Sequence, residues 1–246
     1  MTSQMQDAES SLVSHLEALR RALVRSFAAL AIGIVPLFLA SPYVLDWFCE
    51  QIKLHGEFTL HYFSPLEVFL LQLKISALLD VVLFSPYIAW NFWQFVLPAL
   101  YEKEKRFIRS IALLTSVLFI AGVAFCLIVC FPLIVQFGMS FASESLHPVF
   151  GISNLVSLAL WLSLAFGCMF QFPLVTYALV RGGIVSYETV CDKRPYVVIG
   201  ILVVAALLTP PDIISQIILG APTYLLFEAG LLAARRFKKK TPRREP

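Results

Sequence analysis

Pro98-Ala-Leu-Tyr-Glu-Lys-Glu-Lys-Arg-Phe107, closed by Arg109, is a dense charge cluster set between apolar runs far too long for a soluble core. Such a cluster belongs in water or among lipid headgroups, so the runs on either side of it are membrane segments. With 59% hydrophobic and 14% charged residues over 246 positions, the chain lies outside the range of soluble domains. A hydrocarbon layer of about 30 Å needs about 20 apolar residues per helical crossing, which allows roughly six crossings here. The alternating segments of about ten residues that mark a transmembrane barrel are absent. An all-α integral membrane protein is therefore expected.

Outward from that cluster, the second crossing covers residues 66–90 and the third 111–136, with Pro132 near its outer end. Upstream, Leu12, Leu16, Leu19 and Leu23 recur at helical spacing with His15, Glu17, Arg20 and Arg21 on other faces. Residues 1–21 thus read as an amphipathic lead-in lying along the headgroups, before a first crossing at 22–40. A cleaved signal peptide is the rival reading, and the amphipathic lead-in and later spans favour a retained anchor. Residues 41–66, with Pro42, Asp46, Trp47, His55, Glu57, His61 and Pro65, read as a structured cap outside the membrane. Downstream come a loop at 137–155 and a fourth crossing to 180 that contains Gln171 and Pro173. The fifth apolar stretch, 196–208, has only 13 residues, which as a helix reaches about 20 Å. The sixth, 213–230, is also short, and such a pair would thin the bilayer around it.

In this arrangement 17 of the 19 Lys and Arg residues fall on one side, Lys53 and Lys74 being the exceptions. That side is cytoplasmic by the positive-inside rule, and both termini face it. One domain spans 1–246, with its membrane region at 22–234 and a basic cytoplasmic tail at 235–246. No internal repeat supports an inverted-repeat transporter. The five cysteines show no metal or redox spacing and read as buried, inert thiols. Walker A, Gly-x-Ser-x-Gly and His-Glu-x-x-His sequences are missing, which removes support for nucleotide hydrolysis and the commoner hydrolytic enzymes.

The candidate site residues are carboxylates and intramembrane polar groups. Glu17, in Ser14-His-Leu-Glu17, matches a helix capping box, and Glu104 fits a solvated mixed-charge loop. Together, on one membrane face beside apolar helix ends, they can also accept bidentate hydrogen bonds from a ligand bearing two arginines. Lys74 and Asp80 lie six residues apart in one span, on different helical faces, and each needs a partner elsewhere. Gln171 and Glu228 suit helix-to-helix hydrogen bonds. Asp212 follows two prolines and suits a cap on the sixth helix. Pro36, Pro86, Pro132 and Pro173 bend the spans that contain them.

His15-Leu-Glu-Ala-Leu-Arg-Arg21, Ser64-Pro-Leu-Glu-Val-Phe69, Phe95 through Pro98-Ala-Leu-Tyr101 to Glu104-Lys-Arg106, Phe131-Pro132, Lys193-Arg-Pro-Tyr196 and Leu208-Thr-Pro-Pro-Asp212 together resemble the TatC family. This is the multi-spanning subunit of the twin-arginine protein translocase, and the resemblance covers essentially the whole chain after the first ten residues. It implies six transmembrane helices in a concave, glove-like arrangement in a bacterial inner membrane. It further implies a non-enzymatic receptor, without cofactors, that binds Arg-Arg signal peptides and exports folded proteins using the proton-motive force. Its implied partners are single-span TatA and TatB, other copies of itself and membrane lipid, with no nucleic acid. By position, Glu17, Glu104, Phe95 and Arg106 would contact the signal peptide, and Thr209 and Gln216 would dock partner helices. Pro65, Glu67 and Asp212 would lie in the outer loops and caps. Gln171 stands where many relatives carry Glu, and a neutral amide does not titrate. A secondary transporter of a small solute, built on Lys74, Asp80 and Glu228, is the alternative. An intramembrane enzyme lacks a recognisable nucleophile and base.

Overall fold

The computed structural model describes residues 2–53, 59–96, 105–140, 149–181, 183–208 and 213–235. Nearly all of them are helical, as a backbone in hydrocarbon must satisfy its own amides and carbonyls. The order is α1 (Thr2–Lys53), β1 (Thr59–His61), α2 (Pro65–Val96), α3 (Lys105–Phe125), a π-helical stretch (Cys126–Cys130) and α4 (Phe131–Met139). Then come β2 (Val149–Gly151), α5 (Ile152–Met169), α6 (Phe172–Arg181), α7 (Tyr187–Asp192), α8 (Arg194–Leu208) and α9 (Ile213–Ala234). Five segments are long and apolar enough to cross a membrane: Glu17–Lys53, Pro65–Phe95, Arg109–Met139, Ile152–Arg181 and Gln216–Ala234. Arg194–Ala206 is a shorter apolar helix.

The chain divides into two compact units. The first comprises residues 1–51 and 62–117. Its α1 does not stop near residue 40, as the sequence predicts, but runs through Pro36 and Pro42 to Lys53. Proline lacks an amide proton and so orphans the carbonyl four residues back, which for Pro42 belongs to Phe38. The buried Ser41 hydroxyl donates to that carbonyl at 2.8 Å and keeps the helix intact. The same device recurs in α2, where Pro86 orphans Val82 and the Ser85 hydroxyl donates to the Val82 carbonyl at 2.8 Å. Residues 41–53, expected in a structured cap separate from the first crossing, therefore continue the α1 helix.

The capping box also lies elsewhere than expected. Because α1 begins at Thr2, Ser14 and Glu17 sit inside a helix with no N-terminus to cap. At the start of α2, by contrast, Pro65 occupies the first turn and the Glu67 carboxylate accepts the Phe63 amide at 2.8 Å. The Glu67 amide donates to the Ser64 carbonyl at 3.1 Å in an ordinary backbone turn, so the capping side chain at Ser64-Pro-Leu-Glu67 is that of Glu67 alone. Further along, Phe38 meets Phe69 edge to face at 5.6 Å, and the Trp93 indole donates to Thr115 at 2.6 Å.

The second unit comprises residues 52–61 and 118–246. Strands β1 and β2 pair in parallel, Thr59 with Val149 and His61 with Gly151. Its core gathers Cys126, Cys130, Ile134, Leu162, Phe166, Met169, Ala205 and Leu219, with Phe125 against Phe166 and Phe170. The π-helical stretch sits where Pro132 removes an amide, so the ladder widens by one residue instead of breaking. Cys126 and Cys130 are buried as expected, but Cys168 is exposed and Cys49 and Cys191 are half-buried. A cysteine in an apolar span meets lipid as readily as core, so hydrophobic surroundings in sequence do not fix burial in the protein.

Pro173 ends α5 at the turn Phe170–Gln171 and starts α6. Gly230 of α9 packs against the Pro173 backbone so closely that any side chain there would collide with it. The helix α8 has 15 residues, about 22 Å, and matches the short fifth apolar stretch, whereas α9 has 22 residues, about 33 Å, and is not the short helix that the sequence predicts.

Candidate functional site

In the first unit, the arginine-rich start of the first span meets the end of α2. Glu17 is exposed on α1, and Arg20, Arg21, Val24 and Arg25 surround it in a shallow recess. The Arg21 Nε donates to the Glu17 carbonyl across a long 3.4 Å contact, leaving the Glu17 carboxylate uninvolved in that bond. Beside this recess, Ala18, Arg21, Ala22 and Arg25 of α1 and Asn91, Gln94 and Phe95 of α2 line an open cavity of about 220 Å³. Phe95 is half-buried there. Glu104 lies outside the described residues, and Arg106 is placed by backbone alone in the first turn of α3.

Spacing explains how α1 presents these groups. Ala18, Arg21, Ala22 and Arg25 recur three and four positions apart, so they form one face, and the alanines leave the space the guanidinium groups border. On α2, Asn91 and Gln94 are one turn apart and face the same cavity. Neither amide stood out in the sequence, although two amides one turn apart at the end of an aromatic-rich span were the available signal.

Deeper in the same unit, Lys74 is exposed, whereas Asp80 is only 2% exposed. Among the described residues the Asp80 Oδ1 makes no hydrogen bond, and it packs directly against Gly33 of α1, beside the Phe84 ring. The partner expected for Asp80 on another helix is thus a close-packed glycine rather than a polar group. Gly33 is what makes room for it.

In the second unit, the intramembrane polar residues join helices. Gln171 sits in the break between α5 and α6, where its own amide donates to Cys168 at 3.0 Å. In an unbroken helix that amide would serve Gly167 instead. The Gln171 side-chain amide takes over, donating to the Gly167 carbonyl at 3.0 Å. Glu228 of α9 is held from two sides: Arg194 Nη2 donates to its Oε2 at 3.0 Å, and the Tyr224 hydroxyl donates to its Oε1 at 3.0 Å. Arg194 Nε also lies 3.0 Å from Oε1, a charge contact whose N–H is not directed at the carboxylate. The Gln216 amide donates to the Leu202 carbonyl at 2.9 Å and ties α9 to α8. Thr209 and Asp212 lie outside the described residues.

These groups recognise and brace, with bonds made by carboxylates, guanidinium groups and amides. The family model for the Sec-independent protein translocase protein TatC matches residues 14–222. The chain belongs to the TatC family. It is 32% identical to TatC of Carboxydothermus hydrogenoformans, over 96% of this chain and 97% of that one. It is also 32% identical to TatC of Escherichia coli K12, over 95% of this chain and 92% of that one. A crystal structure of the twin arginine translocase receptor TatC in DDM superimposes with a TM-score of 0.83 at 31% identity. That likeness covers 90% of this chain and 99% of the other. As a TatC protein, the chain is a non-enzymatic membrane subunit of the Sec-independent protein translocase.

Proposed function

We propose that this TatC protein is the receptor of its translocase, binding signal peptides with consecutive arginines at its cytoplasmic face. With TatA- and TatB-type single-span partners and further copies of itself, it exports folded proteins using the proton-motive force. The reading includes one membrane domain with six crossings, α8 among them, in a concave, glove-like arrangement. The bacterial inner membrane is its location, and both termini are cytoplasmic. The placement of 17 of 19 basic residues on one side supports that orientation.

The observation that carries the reading is the likeness, over 90% of the chain, to a protein described as the twin arginine translocase receptor. Glu17, exposed at the basic end of α1, and Glu104, between α2 and α3, are the carboxylates that receive the arginine pair. Phe95 and Arg106 flank them. Thr209 and Gln216, where the short α8 gives way to α9, form the docking point for partner helices, and Pro65, Glu67 and Asp212 belong to the same outer end of the molecule. The solute-transporter reading loses its support residue by residue: Glu228 is held by Arg194 and Tyr224, and Lys74 and Asp80 lie on different faces of α2.

Photocross-linking in membranes, from probes at positions 17 and 104 to an Arg-Arg signal peptide, tests the assignment. An exposed ion pair is worth about 1 kcal/mol or less, so Glu17→Ala weakens capture by about fivefold or less. Glu104→Ala also weakens it, the double variant weakens it further, and Glu102→Ala does less. Equal capture by wild type and the Glu17→Ala Glu104→Ala variant would remove both residues from the site.

A further inference from the structure

We propose that the cavity between α1 and α2 seats the phosphate of an anionic phospholipid headgroup. Its polar lining offers the donors of the Arg21 and Arg25 guanidinium groups and of the Asn91 and Gln94 side-chain amides, with no carboxylate among the lining residues. Asn91 is 5% exposed, and its Nδ2 makes no hydrogen bond among the described residues. A buried amide nitrogen left without an acceptor costs about 1–3 kcal/mol, so an oxygen-bearing ligand in this cavity relieves a standing penalty. Arg25 makes no ion pair or hydrogen bond among the described residues, and its charge is available to the same ligand. A phosphodiester presents a single negative charge shared by two oxygens, which matches a guanidinium fork.

The surface below the cavity selects a lipid over a free anion. From Arg25, the same α1 face continues through Ala29 to Ile32, four and seven positions on, and Ile32 is 75% exposed. From Gln94, the α2 face continues back through Trp90 to Tyr87, which are 37% and 42% exposed. Both stripes run from the polar end towards the middle of spans Glu17–Lys53 and Pro65–Phe95. Acyl chains suit those stripes, and an exposed Trp below a cationic recess sits at headgroup level. A snorkelling arginine would need no buried amide such as that of Asn91 beside it. The cavity borders the carboxylate site proposed above, because Arg21 and Arg25 line both it and the recess that holds Glu17, and the two differ in that Glu17 faces the recess and Asn91 and Gln94 face the cavity.

Purified protein in detergent, titrated with phosphatidylglycerol, phosphatidylcholine or inorganic phosphate and read by native mass spectrometry, tests the proposal. Phosphatidylglycerol is retained in preference to phosphatidylcholine. Each basic residue near an anionic headgroup contributes about fivefold, so Arg21→Gln Arg25→Gln lowers retention by about twentyfold. Arg109→Gln, which removes one positive charge at an exposed position outside the cavity, leaves retention unchanged. Ala22→Phe fills the cavity while keeping both arginines and also loses the lipid. Equal retention of the two lipids, or full retention by Ala22→Phe, overturns the proposal. So does an Arg109→Gln loss as large as that of the double variant, which would mean diffuse attraction. Displacement of phosphatidylglycerol by an equal concentration of inorganic phosphate would mean a free-anion site and also overturn it.

Discussion

The Ser41 hydroxyl donates to the carbonyl of Phe38, the acceptor that Pro42 leaves without an amide, and Ser85 does the same for Val82 beside Pro86. A carbonyl deprived of its donor inside an apolar span has no water to turn to. Ser41→Ala and Ser85→Ala should therefore each destabilise the protein by about 1 kcal/mol, the net worth of one hydrogen bond. Replacing the proline restores the amide, so Ser41→Ala should cost less in a Pro42→Ala background. Thermal unfolding of the four variants in detergent supplies the cycle. Equal costs in both backgrounds would mean that the serine serves some other group.

Gly33 and Asp80 make a second paired case. A side chain at position 33 would collide with the Asp80 carboxylate and the Phe84 ring. Overpacking of this kind costs typically about 1–3 kcal/mol, so Gly33→Ala should destabilise within that range. Asp80→Ala vacates part of the space, and the double variant should recover a fraction of the loss. Asp80→Asn should be neutral or stabilising, because an unpaired ionisable group among apolar side chains contributes a cost that its amide counterpart reduces. A stability drop of several kcal/mol in Asp80→Asn would show that the carboxylate has a partner the packing does not reveal.

Segments that cross a membrane were legible because hydrocarbon imposes one crude requirement, a long apolar helix, and α2 to α6 satisfy it with little else in their sequences. Helix ends were less legible. Ser41-Pro42 reads as a stop signal in water, where proline ends helices, but in a span the neighbouring hydroxyl repairs the ladder and α1 continues to Lys53. Similarly, Ser14-His-Leu-Glu17 and Ser64-Pro-Leu-Glu67 are both capping patterns, and only the chain upstream decides which one stands at a helix start. The candidate site divides in the same way. Glu17 stood out by its local pattern and Phe95 only through the family resemblance, whereas the cavity beside them depends on α1 meeting α2, and no local pattern encodes that meeting. The Arg194 partner of Glu228 lies 34 residues away and was equally out of reach.

That ion pair gives the third prediction. The side chains of Arg194 and Glu228 are 43% and 24% exposed, so solvent screens a contact that a fully buried pair would feel in full. The coupling measured by a cycle of Arg194→Gln and Glu228→Gln should be about 1 kcal/mol or less, and salt should reduce it further. A coupling of several kcal/mol that resists salt would mean that the pair is shielded when the protein sits in its membrane.

Gln171 gives the last, and it turns on which atom carries a proton. At the break before Pro173, the Gln171 main-chain amide serves Cys168, and the Gly167 carbonyl is left to the Gln171 side-chain nitrogen at 3.0 Å. A carboxylate has no proton to give, so Gln171→Glu should lose this bond whenever the glutamate is ionised and bring two oxygens together instead. Protonated, the same glutamic acid can donate and restore it. The variant should therefore be less stable than wild type at neutral and alkaline pH, by about 1–3 kcal/mol, and recover as the pH falls and the carboxyl takes up its proton. Gln171→Leu, which can neither donate nor titrate, should show a loss that does not change with pH. Unfolding midpoints of the three proteins across pH, each referred to wild type, separate the outcomes. A pH-independent Gln171→Glu would show that the amide does not hold the Gly167 carbonyl.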